Sequence, residues 1–151
     1  MLFRSMAERL MSTGIDFSQI QVDMLYRRNE KEMRILAIAI DNMRVYDRFA
    51  LTSISQKELD EVGADQSHCR GIIDQMSFME NAEFSAFLSE RGENNIKISM
   101  RSRERDLIGI AAEFNGGGHS LAAGGRLNCD LETAINLVAA AFERELVKEW
   151  Q

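Results

Sequence analysis

Proline is absent from all 151 residues, so no helix or strand here has to accommodate a missing backbone N–H. Cysteine and histidine occur only twice each. Cys69 and Cys129 lie far apart without CxxC spacing, which excludes a cysteine-based zinc site and a disulfide framework. Positive charge is scarce: 18 Lys and Arg stand against 24 Asp and Glu, a net charge of -6. No general positive field therefore holds long nucleic acid, and an anionic ligand has to be bound locally. Long apolar runs are missing too. The run from Ile35 to Ile40 is far short of a bilayer span, and Arg4, Glu8 and Arg9 interrupt the apolar stretch that a secretion signal needs. These absences imply a cytoplasmic chain without a membrane partner.

Apolar residues make up 45% of the chain, enough for the core of one ordinary domain. Leu2, Met6, Leu10 and Met11 fall near helical spacing ahead of Gly14. Ile20, Met24 and Leu25 share one side of a second helix, Ser18 to Arg28, with Ser18 as its N-cap. Asn29 and Glu32 have capping-box spacing, and Met33, Leu36, Ala37, Ile40 and Met43 form the apolar stripe of the helix they open. Val45, Tyr46, Phe49, Leu51, Thr52 and Ile54 then predict one long or bulged strand between Arg44 and Ser55. Gln56 to Glu61 reads as a short helix stopped by Gly63. In a helix over Gln66 to Met76, Cys69, Ile72, Ile73 and Met76 recur at i, i+3, i+4 and i+7. Cys69 is expected to be a buried small hydrophobe, and His68 a solvated neighbour.

Glu83–Ser89 and Asn95–Ser102 read as a hairpin turning at Arg91, Gly92, Glu93 and Asn94. In the second strand Ile96, Ile98 and Met100 share one face, and Lys97, Ser99 and Arg101 the other. Arg101 thus ends a polar row at a strand C-terminus, where crevices open in α/β sheets. Asp106 is placed to cap a helix burying Leu107, Ile110, Ala111 and Phe114, while Arg103 and Arg105 read as rim charges. Asp130 caps a last helix whose apolar side carries Leu131, Ala134, Ile135, Val138, Phe142 and Leu146. The element order predicts an α/β (α+β) fold: a mixed sheet of roughly four to five strands flanked by helices and preceded by a helical linker.

The segment furthest from ordinary composition is Asn115 to Gly125, Asn-Gly-Gly-Gly-His-Ser-Leu-Ala-Ala-Gly-Gly. Gly116, Gly117 and Gly118 let a ligand approach the backbone N–H groups, and His119 follows at once, a pattern suited to an anion such as phosphate. The glycines come after a helix rather than before one, so neither a Walker loop nor a dinucleotide fingerprint is supported. They are expected to act through turn geometry and their own N–H groups, in a turn leading into a strand at Gly124 to Asn128.

Ile-Ser-Met-Arg-Ser at 98 to 102, Ala-Ala-Glu-Phe at 111 to 114, and the glycine–histidine stretch together resemble the DHH-associated domain of the DHH phosphoesterase family. The resemblance points to oligoribonucleases that also dephosphorylate phosphoadenosine phosphate, to cyclic-dinucleotide phosphodiesterases, and to exopolyphosphatase-like proteins. It divides the chain into a helical linker, with the end of a catalytic half, at 1–43 and the substrate-binding domain at 44–151. Arg101 would then face the substrate phosphate, Gly116, Gly117, Gly118 and His119 would line the site, and Ser99 would lie on the same strand face. Arg supplies a planar fork for phosphate oxygens, and His a ring N–H donor. Family members usually have a fourth glycine where this chain has Asn115, which also tolerates left-handed geometry.

The family's catalytic half holds two manganese ions on aspartates and an Asp-His-His motif, and this sequence has no such motif. No cofactor is therefore expected within the chain and no turnover by it alone. The resemblance implies a separated piece, through truncation, proteolysis or a split gene, whose partners are a short oligonucleotide or nucleotide phosphate and the missing DHH domain. Two other readings stand beside it. One is a nucleic-acid-binding module like the related domain of alanyl-tRNA synthetases. The other is an oligomerisation domain, a homodimer in the simplest case, with its partner surface on the helices at Asn29–Met43 and Asp130–Trp150.

Overall fold

The computed structural model describes residues 12–14, 16–25 and 27–148. Strands β1 (Arg44–Val45), β2 (Phe49–Ile54), β3 (Phe84–Glu90), β4 (Ile96–Ser102), β5 (Gly117–His119) and β6 (Ala122–Leu127) form one mixed sheet. Its order is β1-β2-β3-β4-β6-β5. Helices are α1 (Phe17–Leu25), α2 (Glu30–Asp41), α3 (Gln56–Glu61), α4 (Ile72–Met76), α5 (Ile108–Glu113) and α6 (Leu131–Val147), with a 3₁₀ turn at Gln66–Cys69. Only the β2–β3 pair is parallel, and the crossover between those strands runs through α3, the 3₁₀ turn and α4.

The two faces of the sheet are covered unequally. On one face, Phe49 and Leu51 of β2, Phe84, Ala86 and Leu88 of β3, Ile96, Ile98 and Met100 of β4, and Ala123 of β6 pack under α5 and α6. Phe84 and Phe142 stack there at 4.8 Å, and Phe49 meets Phe142 edge-on at 5.6 Å. Each such ring contributes about 1.5–3 kcal/mol when fully buried. On the other face, α2, α3, the 3₁₀ turn and α4 pack on Ala50, Ile54 and Phe87, strand residues that come from β2 and β3 alone. β2 is consequently buried at every position, whereas β4 alternates between buried Ile96, Ile98 and Met100 and exposed or half-buried Lys97, Ser99 and Arg101. Among the described residues the outward face of β4, β6 and β5 is left largely uncovered, α4 reaching only its margin through Asp74 and Arg101.

Several local expectations hold. Asn29 and Glu32 form the reciprocal capping box and Asp130 accepts from Thr133 N at the head of α6; Ser55 and Glu58 form a further box outside those expectations. Cys69, Ile72, Ile73 and Met76 are all buried.

Other elements differ, each for an identifiable reason. The stretch from Arg44 is not one strand: β1 and β2 are separate antiparallel neighbours joined through Asp47 and Arg48. The helix over Gln66–Met76 is broken at Gly71, whose φ of 74° is left-handed. His68 is not solvated; its side chain is 17% exposed and its Nδ1 accepts from Asp65 N, closing a capping box. Asp16, not Ser18, caps α1 by accepting from Gln19 N, and Ile20 is exposed. The inward face of α2 is Glu32, Ile35 and Ala39, leaving Met33 and Ile40 more than half exposed. Glu32 can point inward because Asn29 N donates to it and Arg70 reaches it at 3.2 Å. The sheet has six strands, slightly more than the expected four to five, because the 44–55 stretch splits and Gly117–His119 form a strand of their own. The helix expected over Leu2–Met11 and the residue Trp150 lie outside the described residues.

Candidate functional site

The helix α5 ends in two nested hydrogen bonds. Asn115 N donates to Ala112 O at 3.3 Å, and Gly116 N donates to Ala111 O at 2.9 Å. Between them Asn115 takes φ 51°, the left-handed residue of a Schellman motif, a conformation that asparagine tolerates better than other non-glycine residues. The chain then forms the β5–β6 hairpin, which Leu107 N and Ser102 N anchor by donating to Ser120 O and Leu121 O. Gly117, Gly118 and His119 therefore form an edge strand, and the turn lies beyond it at Ser120 and Leu121.

The three glycines serve different ends. A Cβ on Gly116 would sit 1.9 Å from Gly124 O and 2.5 Å from Gly125 Cα, and one on Gly118 would sit 2.6 Å from Ala122 O. Gly118 also has φ 146°. Both are required by the closeness of the hairpin strands. A Cβ on Gly117 would meet nothing within 4 Å, so the fold does not demand glycine there.

Strand pairing gathers the candidate residues on the uncovered face. Arg101 pairs with Ala122, which pairs with His119; Ser99 pairs with Gly124, which pairs with Gly117; Lys97 pairs with Arg126. Residues directly opposite across antiparallel strands project to the same face. The result is a shallow groove of about 330 Å³ over β4 and β6, lined by Lys97, Ser99, Arg101, Gly117, Ala122 and Arg126 among others. Its floor at Gly124, Gly117 and Ala122 has almost no side chains. Arg101 and His119 stand at one end, and Lys97 and Arg126 at the other.

Of the residues singled out in the sequence, the groove lining brings together Ser99, Arg101 and Gly117. His119, exposed, stands beside it on the Arg101 row, whereas Gly116 and Gly118 pack against β6 and the Gly116 N–H is engaged by α5. Arg101 Nη1 donates to Met100 O at 3.1 Å, and Nη2 lies 3.2 Å from Asp74 Oδ1 on α4. Lys97, Arg126 and Asp74 were not among the candidates. Alternation along β4 already put Lys97 in the polar row, but Arg126 and Asp74 join through contacts distant in sequence, which no local pattern carries.

Arg105 is not a rim charge. It is 9% exposed, donates from Nε to Glu83 Oε2 at 2.9 Å, and donates from Nη1 to the carbonyls of Glu145 and Lys148. Burial pulls the Glu83 carboxyl upward, but hydrogen bonds from Arg48 and Arg105 outweigh it and hold the group below its usual 4.5. Burial pushes the Cys69 thiol up to about 11, which removes it as a nucleophile near neutral pH. A larger cleft of about 570 Å³ lies between the C-terminal end of α2 and the start of α6. Three of its charged groups are already engaged, Arg44 by both carboxylate oxygens of Glu132 and Glu58 by Asn42 and Ser55.

Among the described residues no three His, Cys, Asp or Glu side chains are grouped so that they could hold a metal ion. No described helix is long and apolar enough to cross a membrane.

The structure is thus an α/β domain whose mixed sheet carries a groove with cationic side chains on its open face. Residues 48–147 match the DHHA1 domain family, and the chain belongs to that family. It is similar to the crystal structure of an exopolyphosphatase-related protein from Bacteroides fragilis, with 32% identity and a TM-score of 0.83 over 94% of this chain and 43% of that one. It shares its fold with the pGpG-specific phosphodiesterase PggH of Vibrio cholerae, with 14% identity and a TM-score of 0.56 over 78% of this chain and 39% of that one. The C-Ala domain of Aquifex aeolicus alanyl-tRNA synthetase matches at 13% identity and a TM-score of 0.46, over 66% of this chain and 96% of that domain. The chain spans less than half the length of the first two proteins.

Proposed function

We propose that this chain is the substrate-binding lobe of a phosphodiesterase or phosphatase acting on short oligonucleotides, phosphoadenosine phosphate or cyclic dinucleotides. The observation that carries the reading is the row Arg101–Ala122–His119 beside a floor without side chains at Gly117 and Gly124. A guanidinium and an imidazole on either side of an alanine offer converging donors, and the bare floor lets a phosphate come close to the backbone. Membership of the DHHA1 family and the 32% identity to an exopolyphosphatase-related protein support a phosphate ligand. Hydrolysis, with its two manganese ions, belongs in this reading to a DHH domain beyond these residues.

Titration of the chain with phosphoadenosine phosphate, a 5′-phosphorylated dinucleotide and a cyclic dinucleotide tests the reading. Arg101→Ala and His119→Ala are each expected to weaken binding roughly tenfold. Unchanged affinity in both variants overturns the site. Manganese-dependent hydrolysis by the chain alone would contradict the assignment of the metals elsewhere.

A further inference from the structure

Asn115 is followed by Gly116, and this is the one Asn-Gly step in the sequence. Asparagine is a thermolabile residue, because the backbone nitrogen of the next residue can attack its side-chain carbonyl carbon; a glycine there has no Cβ to hinder the approach. Asn115 is exposed, so water and hydroxide reach it freely. What protects it is the backbone. Gly116 N donates to Ala111 O at 2.9 Å, and Asn115 stands at φ 51° between the two bonds that close α5. An amide whose proton is held by a carbonyl does not give it up to hydroxide until that bond opens.

We propose that Asn115 is a site of self-modification gated by the C-terminal turn of α5: the side-chain amide is kept while the Gly116–Ala111 bond is closed, and each opening exposes it to deamidation. In the open turn Gly116 N loses its proton to hydroxide and bonds to Asn115 Cγ. The bond from Cγ to the side-chain nitrogen breaks, and that nitrogen takes a proton from water and leaves as ammonia. Water then opens the cyclic imide at one carbonyl or the other. The products are aspartate and isoaspartate, the second with the main chain rerouted through Cβ, and each carries one added negative charge.

The isoaspartate product does not fit this fold. Both neighbours of Asn115 are fixed to β6: Arg126 N donates to Phe114 O at 2.7 Å, and a Cβ on Gly116 would lie 1.9 Å from Gly124 O. One more main-chain carbon between them pushes β5 away from β6 and displaces Gly117 and His119, whatever ligand the groove takes. Asn94 is the internal comparison. It too is left-handed, at φ 51°, but it is followed by Asn95, whose Cβ hinders ring closure.

The test incubates the chain at mildly alkaline pH, native and in urea, and follows Asn115 by peptide mass mapping, while hydrogen exchange on the native chain reads the protection of Gly116 N–H. Both reactions begin with loss of the same proton. Native deamidation is therefore expected to be slower than in urea by at least the Gly116 protection factor, roughly tenfold or more. Ala112→Gly, at an exposed position within α5, weakens the helix and should speed native deamidation roughly threefold to fivefold without altering the rate in urea. Asn115→Gly should abolish the reaction and keep the left-handed cap, and chain purified in the isoaspartate form should melt below the wild type. Equal rates in native and urea-unfolded chain overturn the proposal. So do a retardation well short of the Gly116 protection, a native rate unchanged by Ala112→Gly, and an isoaspartate chain that melts with the wild type.

Discussion

Arg105 donates its Nε to Glu83 Oε2 at 2.9 Å and closes, from a buried position, the gap between the start of β3 and the end of α6. The same guanidinium holds the carbonyls of Glu145 and Lys148 at 2.9 and 3.3 Å. Arg105→Ala is therefore expected to cost about 1.5–3 kcal/mol, measured by urea unfolding. Loss of a few tenths of a kcal/mol or less, the range of an exposed charge, would contradict this role.

The glycines separate folding from binding. Gly116→Ala is expected to destabilise by about 1–3 kcal/mol, because its Cβ meets the Gly124 carbonyl and the Gly125 Cα. Gly117→Ala should leave stability within about 1 kcal/mol of the wild type while weakening the nucleotide ligand. Thermal melts and titrations of the two variants check the contrast. Equal loss of stability in both would remove it.

Asp74 competes for Arg101. The pair is solvent-accessible, with 34% and 58% of the side chains exposed, so it contributes little to stability. A phosphate bound as proposed would have to share Arg101 with this carboxylate or replace it. Asp74→Asn is expected to tighten phosphate binding roughly twofold to fivefold. Weaker binding would mean that Asp74 positions Arg101 instead.

Acid should unfold the chain through carboxylates held below their usual range. Glu83 and Glu58 are each opposed by burial but lowered on balance by hydrogen bonds, from Arg48 and Arg105 in one case and from Asn42 and Ser55 in the other. The unfolded chain thus binds more protons than the folded one below the ordinary value of 4.5. This stability is present above that pH and is lost as pH falls through the folded values. Urea midpoints measured against pH should decline less steeply in Glu83→Gln than in the wild type across that window.

Local signals made much of this fold readable. Asp130 and the stripe through Ala134, Val138 and Phe142 define α6 without reference to anything else, and the alternation at Ile96, Ile98 and Met100 defines β4. The face of α2 was not readable in the same way. Its apolar residues include Met33 and Ile40 as well as Ile35 and Ala39, and the choice of inward face depends on Arg70 satisfying Glu32. Arg101, Ser99 and the glycines stand out in the chain, but their arrangement depends on β6 entering between β4 and β5. Arg105 looks like its exposed neighbours until the end of α6 returns beside it.

The open half of the sheet also sets a time scale. Among the described residues no segment lies over the outer face of β4 and β6, so a ligand bound there would keep its upper side in water. Occupancy of this lobe should consequently be brief, with dissociation limited by breaking a few charged contacts. Prolonged dwell would call for a second surface closing over the first.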